Sequence, residues 1–296
     1  MNGQTQEIYI VCSTDNNYAQ HCGVMLSSLF QSNPDSSFVI YIFKSNLSIK
    51  NKSRINSIGK IYHHRIKYIE INHKELLNAP TIGHVSIETY YRLLIPKYLP
   101  DTVDKVLYLD VDMIARKKID DLWNIDISNY ALAACRNPNM IYNNKRLGTP
   151  EKSIYFNAGV LLLNLGYWRG NLLADKIVKY ITEQGLKLKY WDQDALNVVL
   201  HDSVKIVNNI NNVTEAFYMN PTSLLGEYSQ DEIERIKQEA VIIHFTGESK
   251  PWHLENKHPM KSEYYKYLKM TPWRNYNPYW DKVKRVVNNR IISKFG

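Results

Sequence analysis

The chain has 296 residues, enough for one large domain or two ordinary ones, and its 44% hydrophobic and 22% charged content is globular. It has no run of about 18 apolar residues that would span a membrane. The opening MNGQTQEIYIVCSTD lacks the basic-then-apolar order of a secretory signal. Three cysteines without paired spacing (Cys12, Cys22, Cys135) argue against a disulfide framework and a zinc site, and fit a reducing cytosol. The formal charge of +8 is carried by residues 250–296, with eleven Lys/Arg against three acids, so residues 1–249 sum to about zero.

In chain order, residues 7–13 (EIYIVCS) predict a strand, and 19–32 a helix that stops at Asn33-Pro34. The continuous apolar run 38–43 predicts a strand covered on both faces. Residues 48–60 predict a helix, 65–71 an alternating strand, 86–96 a helix and 105–110 a strand. Strands separated by helical segments imply βαβ units and a parallel sheet with right-handed crossovers. Beyond 112 the pattern loosens: strands at 131–135, 158–163 and 240–245, and helices at 167–183 and 192–201. No Gly/Ser-rich linker, repeat or low-complexity tract divides the chain.

Ligands of parallel α/β sheets bind beyond the carboxyl ends of the strands. Two polar segments fall there: Ser13-Thr14-Asp15-Asn16-Asn17-Tyr18, and Asp110-Val111-Asp112 within VLYLDVDMI. No G-x-G-x-x-G follows the first strand, and no G-x-x-x-x-G-K-[ST] is present, which excludes a P-loop enzyme. Asp110 and Asp112, at i and i+2 of an extended stretch, project to one side. Two such carboxylates repel unless a cation intervenes, and oxygen ligands suit Mg²⁺ or Mn²⁺. The bland alternative is that one acid caps the next segment and the other is solvated. In VIIHFTGESKPW, His244 follows another apolar strand and reads either as a hydrogen-bonded structural residue, the commoner case, or as a third ligand, which would favour Mn²⁺ somewhat over Mg²⁺. Gly247 permits close backbone approach, and Lys250 offers a fixed positive charge to a phosphate. Asn157 and Gly159 in YFNAGVLLLNL precede an apolar run. Asp192, Gln193, Asp194 and Asn197 in YWDQDALN read either as helix capping or as a sugar-binding set.

Six segments in order, TDNNYA, ETYYRL, LYLDVDMI, YFNAGVLLLNL, WDQDALN and HFTGESKPW, resemble the family 8 retaining glycosyltransferases. The resemblance covers about 1–252. It implies a GT-A fold, α/β with a Rossmann-like, mostly parallel central sheet flanked by helices. Residues 1–112 would form the nucleotide-binding half and 113–252 a mixed acceptor-side half, followed by a basic, helical C-terminal segment, 253–296. It implies Asp110, Asp112 and His244 as Mn²⁺ ligands. Ser13, Thr14, Asp15, Asn17 and Tyr18 would sit at the uridine, and Val111, Gly247 and Lys250 at the nucleotide and its diphosphate. Arg92, Asn157, Asp192 and Gln193 would surround the transferred sugar, with Gln193 and Asp192 at the reacting carbon. The implied donor is UDP-glucose or UDP-galactose, and the acceptor a glycan or glycolipid such as the lipopolysaccharide core. Asn137 stands where some galactosyltransferases of the family have Asp, and Asp15-Asn16 where paired acids are familiar, so the sugar stays open.

The tail PYWDKVKRVVNNRIISKF (278–295) spaces Trp280, Val283, Val287, Ile291 and Phe295 near helical periodicity among basic residues. That predicts either an interfacial helix on an anionic membrane, using residues 271–296, or a helix packed on the core. The first reading makes the protein cytoplasmic and peripheral on the inner membrane face. No nucleic-acid motif accompanies the charge. The competing functions are a nucleotide-sugar pyrophosphorylase or hydrolase, which wants a Gly-rich basic loop after the first strand, and a catalytically silent sugar-binding scaffold.

Overall fold

The computed structural model describes residues 7–76, 79, 87–140, 142–279 and 283. Ten strands are present among them: β1 (Glu7–Thr14), β2 (Ser37–Lys44), β3 (Arg65–Glu70), β4 (Lys105–Leu109), β5 (Met113–Ala115), β6 (Leu132–Arg136), β7 (Phe156–Asn164), β8 (Val204–Val207), β9 (Val213–Thr214) and β10 (Ile242–His244). Seven form one sheet in the order β3-β2-β1-β4-β7-β6-β8. Its pairings are parallel except where β7 runs against β4 and β6. A second sheet, β5-β10-β9, pairs β10 antiparallel with β5 and parallel with β9.

Alternation along β1 explains the layering. Ile8, Ile10 and Cys12 face a cluster that includes Cys22, Met25 and Leu29 of helix Ala19–Ser32 and Ile55 and Ile58 of helix Ile49–Ile61. Val11 faces the opposite cluster, with Tyr90, Tyr91, Trp168 and Leu196. β2 is covered on both faces, as its unbroken apolar run requires. The three cysteines are free and buried.

Two helices differ from expectation. The segment expected as a helix over 86–96 is a 3₁₀ helix over Ile87–Leu94, followed by one α turn, Ile95–Tyr98. Pro96 lacks the N–H that would bond the Arg92 carbonyl, and its ring clashes with that carbonyl in an α-helix. The helix expected over 167–183 is two, Leu165–Gly170 and Leu173–Gln184, broken where Leu172 turns left-handed at φ 53°. The first is capped by Asn164, whose Oδ1 accepts the Tyr167 N–H at 3.0 Å.

Most of the predicted helical tail, 278–295, lies outside the described residues. Before it, helix Lys261–Leu268 packs on helix Ala19–Ser32 through Tyr264. Two tryptophans of the basic C-terminal region are used within the fold. Trp252 is buried, and Trp273 packs against the core with the Arg54 guanidinium 5.3 Å from its ring. Among the described residues no helix is long and apolar enough to cross a membrane.

Candidate active site

β4 delivers the two acids. Its ladder with β7 extends one residue, because Asp110 N–H donates to the Gly159 carbonyl at 2.9 Å. In the smaller sheet, Met113 of β5 lies opposite His244 of β10, and Phe245 N–H donates to the Asp112 carbonyl at 3.0 Å. His244 Nε2 therefore sits 3.2 Å from Asp112 Oδ1 and 3.8 Å from Asp110 Oδ2. One ligand atom from each of the three lies within 4.8 Å of the others. Gly159 makes this possible: a Cβ there would meet His244 Cε1 at 2.1 Å and Asp110 Oδ2 at 2.9 Å.

Both acids are half-buried and ion-paired, and neither is spent as a cap. Asp110 accepts from Tyr108 Oη at 2.7 Å and pairs with Arg92 Nη2 at 3.0 Å. Asp112 pairs with Lys250 Nζ at 2.7 Å, and that ammonium also donates to the Phe245 carbonyl at 2.6 Å. Burial is the largest influence on Asp112 and opposes its charge. Lys250 and then His244 outweigh it and hold the carboxyl well below the usual range. Lys250 is in turn raised, because Asp112 offsets the cost of its burial.

Arg92 also reaches the other side of the site, where Nε lies 3.0 Å from Asp192 Oδ2 and Nη1 donates to the Ala158 carbonyl. Burial pushes Asp192 up to about 6 against the pull of Arg92, and its Oδ2 makes no hydrogen bond. One residue on, Gln193 Oε1 accepts from Ala158 N–H at 3.0 Å and Asn157 Nδ2 at 3.3 Å, and Nε2 donates to Tyr155 Oη at 3.2 Å. Asp194 belongs to the scaffold. It is fully buried and takes both Arg146 nitrogens, Tyr155 Oη and the backbone N–H groups of Lys189 and Tyr190.

The segment after β1 is ordered by Asp15, whose Oδ1 accepts Tyr18 N–H at 2.8 Å and whose Oδ2 accepts from Asn17 at 3.0 Å. Thr14 is buried, with its hydroxyl on the Asp15 carbonyl, and Ser13 Oγ is buried without a hydrogen-bond partner. Tyr18 is exposed and edge-on to Trp252, with ring centroids 6.1 Å apart. Its hydroxyl is pushed up first by burial and then by Asp112. Val111 turns its side chain into the core between the two acids. Gly247 and Lys250 lie on the loop after β10, and Trp252 pins that loop by stacking on His21 at 3.4 Å between centroids. His21 is bonded to Tyr264 Oη at 2.7 Å, and burial pushes it down to about 3, so it is neutral.

The family model "Glycosyl transferase family 8" matches residues 9–256, which hold every one of these side chains except Tyr264. The chain belongs to glycosyltransferase family 8. A Haemophilus influenzae protein is 33% identical over 264 residues, 86% of this chain and 76% of its own length. The lipopolysaccharide 1,3-galactosyltransferase of Salmonella typhimurium is 27% identical over 89% of this chain and 78% of its own. Among solved structures, that of the galactosyltransferase LgtC in complex with donor and acceptor sugar analogs superposes with a TM-score of 0.78. It is 26% identical and covers 90% of this chain and 96% of that one. The mostly parallel sheet with flanking helices is thus the expected GT-A fold.

The sequence alone did not single out several residues of this family 8 site. Tyr108 reads as a strand residue, yet its hydroxyl holds Asp110. His21 reads as one helix position among many, yet it seats Trp252. Asn212, in the polar run NNINNV, bonds His244 Nδ1 at 3.0 Å. No spacing rule marks a partner 32 residues from the histidine it holds. Arg92 was legible only as a sugar contact, whereas it also clamps Asp110.

Proposed function

We propose that the chain is a retaining hexosyltransferase that moves glucose or galactose from a UDP-sugar to a glycan hydroxyl, with Mn²⁺ or Mg²⁺ held by Asp110, Asp112 and His244. The observation that carries this reading is that two carboxylate oxygens and an imidazole nitrogen converge within 4.8 Å at the strand ends. The donor set fits a borderline divalent cation, and Gly159 keeps its space open. When bound, such a cation supplies Lewis acidity to a diphosphate leaving group.

The chain's own residues supply the rest. Tyr18 offers a ring to the uracil, Asp15 and Asn17 shape the loop beside it with Ser13 and Thr14, and Val111 contributes backbone. Gly247 lets the loop approach the diphosphate, and Lys250 sets a fixed positive charge there. Arg92, Asn157, Asp192 and Gln193 line the sugar side. Gln193 is an amide with both ends engaged, Asp192 is paired with Arg92, and Asp194 is saturated by donors. These facts support front-face transfer over a covalent intermediate. The bond from the anomeric carbon to phosphate breaks, the bond to the acceptor oxygen forms on the same face, and the acceptor proton leaves on the departing phosphate.

The likeness to a lipopolysaccharide galactosyltransferase supports a lipopolysaccharide core or another surface glycan as acceptor. A cytoplasmic position, with the basic end of the chain on anionic lipid, suits that acceptor. Liposome sedimentation with and without residues 271–296 tests the membrane contact, and unchanged binding removes it. The deciding assay is UDP release from UDP-glucose and UDP-galactose with and without Mn²⁺. Turnover of one donor only with metal is expected. No turnover of either, with no metal-dependent UDP binding, overturns the reading, and a hexosyl adduct on Asp192 or Asp194 in the intact-mass spectrum overturns the front-face route.

A further inference from the structure

Four buried or half-buried side chains run from the sugar side to the proposed metal ligand: Gln193, Asn157, Asn212 and His244. Amide orientation and imidazole tautomer are ordinarily matters of assignment. Here two backbone N–H groups, which can only donate, decide them. Ala158 N–H points at one terminal atom of Gln193 at 3.0 Å, so that atom is the oxygen. Gly159 N–H points at one terminal atom of Asn157 at 2.9 Å, so that atom too is oxygen, and Asn157 presents its NH₂ to the Gln193 oxygen at 3.3 Å. The Asn157 oxygen also lies 2.9 Å from Asn212, which must therefore present its NH₂ there. The remaining terminal atom of Asn212 is its carbonyl oxygen, 3.0 Å from His244 Nδ1. An oxygen facing Nδ1 requires the proton to be on Nδ1.

We infer that Asn212 is a positioning residue that keeps a proton on His244 Nδ1, so that Nε2 is the nitrogen turned toward Asp110 and Asp112. Asn212 is fully buried and His244 nearly so, leaving no water to take over this role. The pattern is the outer-shell bond that fixes the tautomer of metal-binding histidines, supplied here by an amide. It also makes the sugar-side amide Gln193 and the ligand His244 two ends of one polarised chain. The inference uses the ligand role proposed above for His244, but the tautomer itself is set by the amide chain.

The test is a long-range ¹H–¹⁵N correlation spectrum of ¹⁵N-histidine-labelled, metal-free protein at a pH where the ring is neutral, with the signal assigned by its loss in His244→Gln. Mn²⁺ affinity is read in parallel from the electron paramagnetic resonance of the free ion. The wild type is expected to carry the proton on Nδ1. Asn212→Leu should move it to Nε2 and weaken Mn²⁺ binding by about 10- to 100-fold. Asn212→Asp keeps an acceptor at Nδ1 while giving up the donor to Asn157, and should restore the tautomer. A wild-type ring protonated on Nε2 overturns the inference, and so does an Asn212→Leu protein unchanged in both readouts. The wild-type spectrum decides the tautomer even where a variant fails to fold. An Nδ1–H ring in a protein that binds no Mn²⁺ upholds the tautomer and refutes the proposed function instead.

Discussion

Arg92 and Asp192 form an ion pair with Nε 3.0 Å from Oδ2, in which both side chains are more than nine-tenths buried. The same guanidinium holds Asp110 and lies 4.6 Å from the Tyr108 ring centroid. Arg92→Met would leave two carboxylates short of their cation. A stability loss of about 3–5 kcal/mol is expected, a drop in Tm on the order of 10 °C, with UDP-sugar turnover abolished. Arg92→Lys keeps the charge but not the planar fork that spans both acids, so it should recover part of the stability and little activity. Thermal melts and the UDP-release assay check both.

Asp192 and Asp112 bias stability in opposite senses. The folded-state pKa of Asp192 is raised from 3.8 to about 6, so between those values the folded chain binds more protons than the unfolded one. Its contribution is full below about 4 and is lost as pH rises through 6, amounting to about 3 kcal/mol. Asp112 is depressed, so its contribution is present above the unfolded value and is lost as pH falls toward the folded one. Urea titrations of metal-free wild type and Asp192→Asn from pH 4 to 7 isolate the first effect, because Asp112 is common to both. The stability difference should shift against the wild type across that window, and a flat difference refutes the assignment.

Gly159→Ala adds one methyl group where His244 and Asp110 converge. His244 cannot swing away, being buried and held by Asn212, so the ligand set must open. Mn²⁺ affinity should fall at least tenfold, while the central sheet, which Gly159 joins through its backbone, stays folded. Calorimetric titration with Mn²⁺ alongside circular dichroism separates the two.

His21 touches none of the proposed metal ligands, yet it lies edge-on to Tyr18 and seats Trp252 two residues from Lys250. His21→Ala removes the stack and the bond to Tyr264, costing on the order of 3 kcal/mol by the cavity it leaves. It should also raise KM for the donor more than it lowers kcat. His21→Phe keeps the stacked ring and should restore KM. Equal loss of kcat and KM effects in both variants would refute the seating role.

The parts legible in the sequence were those fixed by local pattern. β1, β2, β4, β6 and β7 announce themselves as apolar runs, and the acids and the histidine announce themselves by standing at run ends. The parts that were not legible exist because of distant partners. β5 and β9 have three and two residues, too few for any period, and are strands only because β10 lies between them. The helix Gln230–Glu239 carries a local signal of its own, the Ser229/Glu232 capping box. Asp194 sits beside the sugar-side candidates Asp192 and Gln193 with the same chemistry, and only the Arg146 fork marks it as scaffold.

The Lys250–Asp112 pair spans 138 residues of chain. On a ribosome adding about 5–20 residues per second, Asp112 emerges roughly 7 to 28 s before the ammonium that neutralises it. Arg92 precedes Asp110, so one acid has its partner from the outset while the other waits for nearly half the chain. Assembly of the site is therefore ordered in time: the Arg92–Asp110 contact can form early on the nascent chain, and β10, the last strand among the described residues, brings in His244 and Lys250 afterwards.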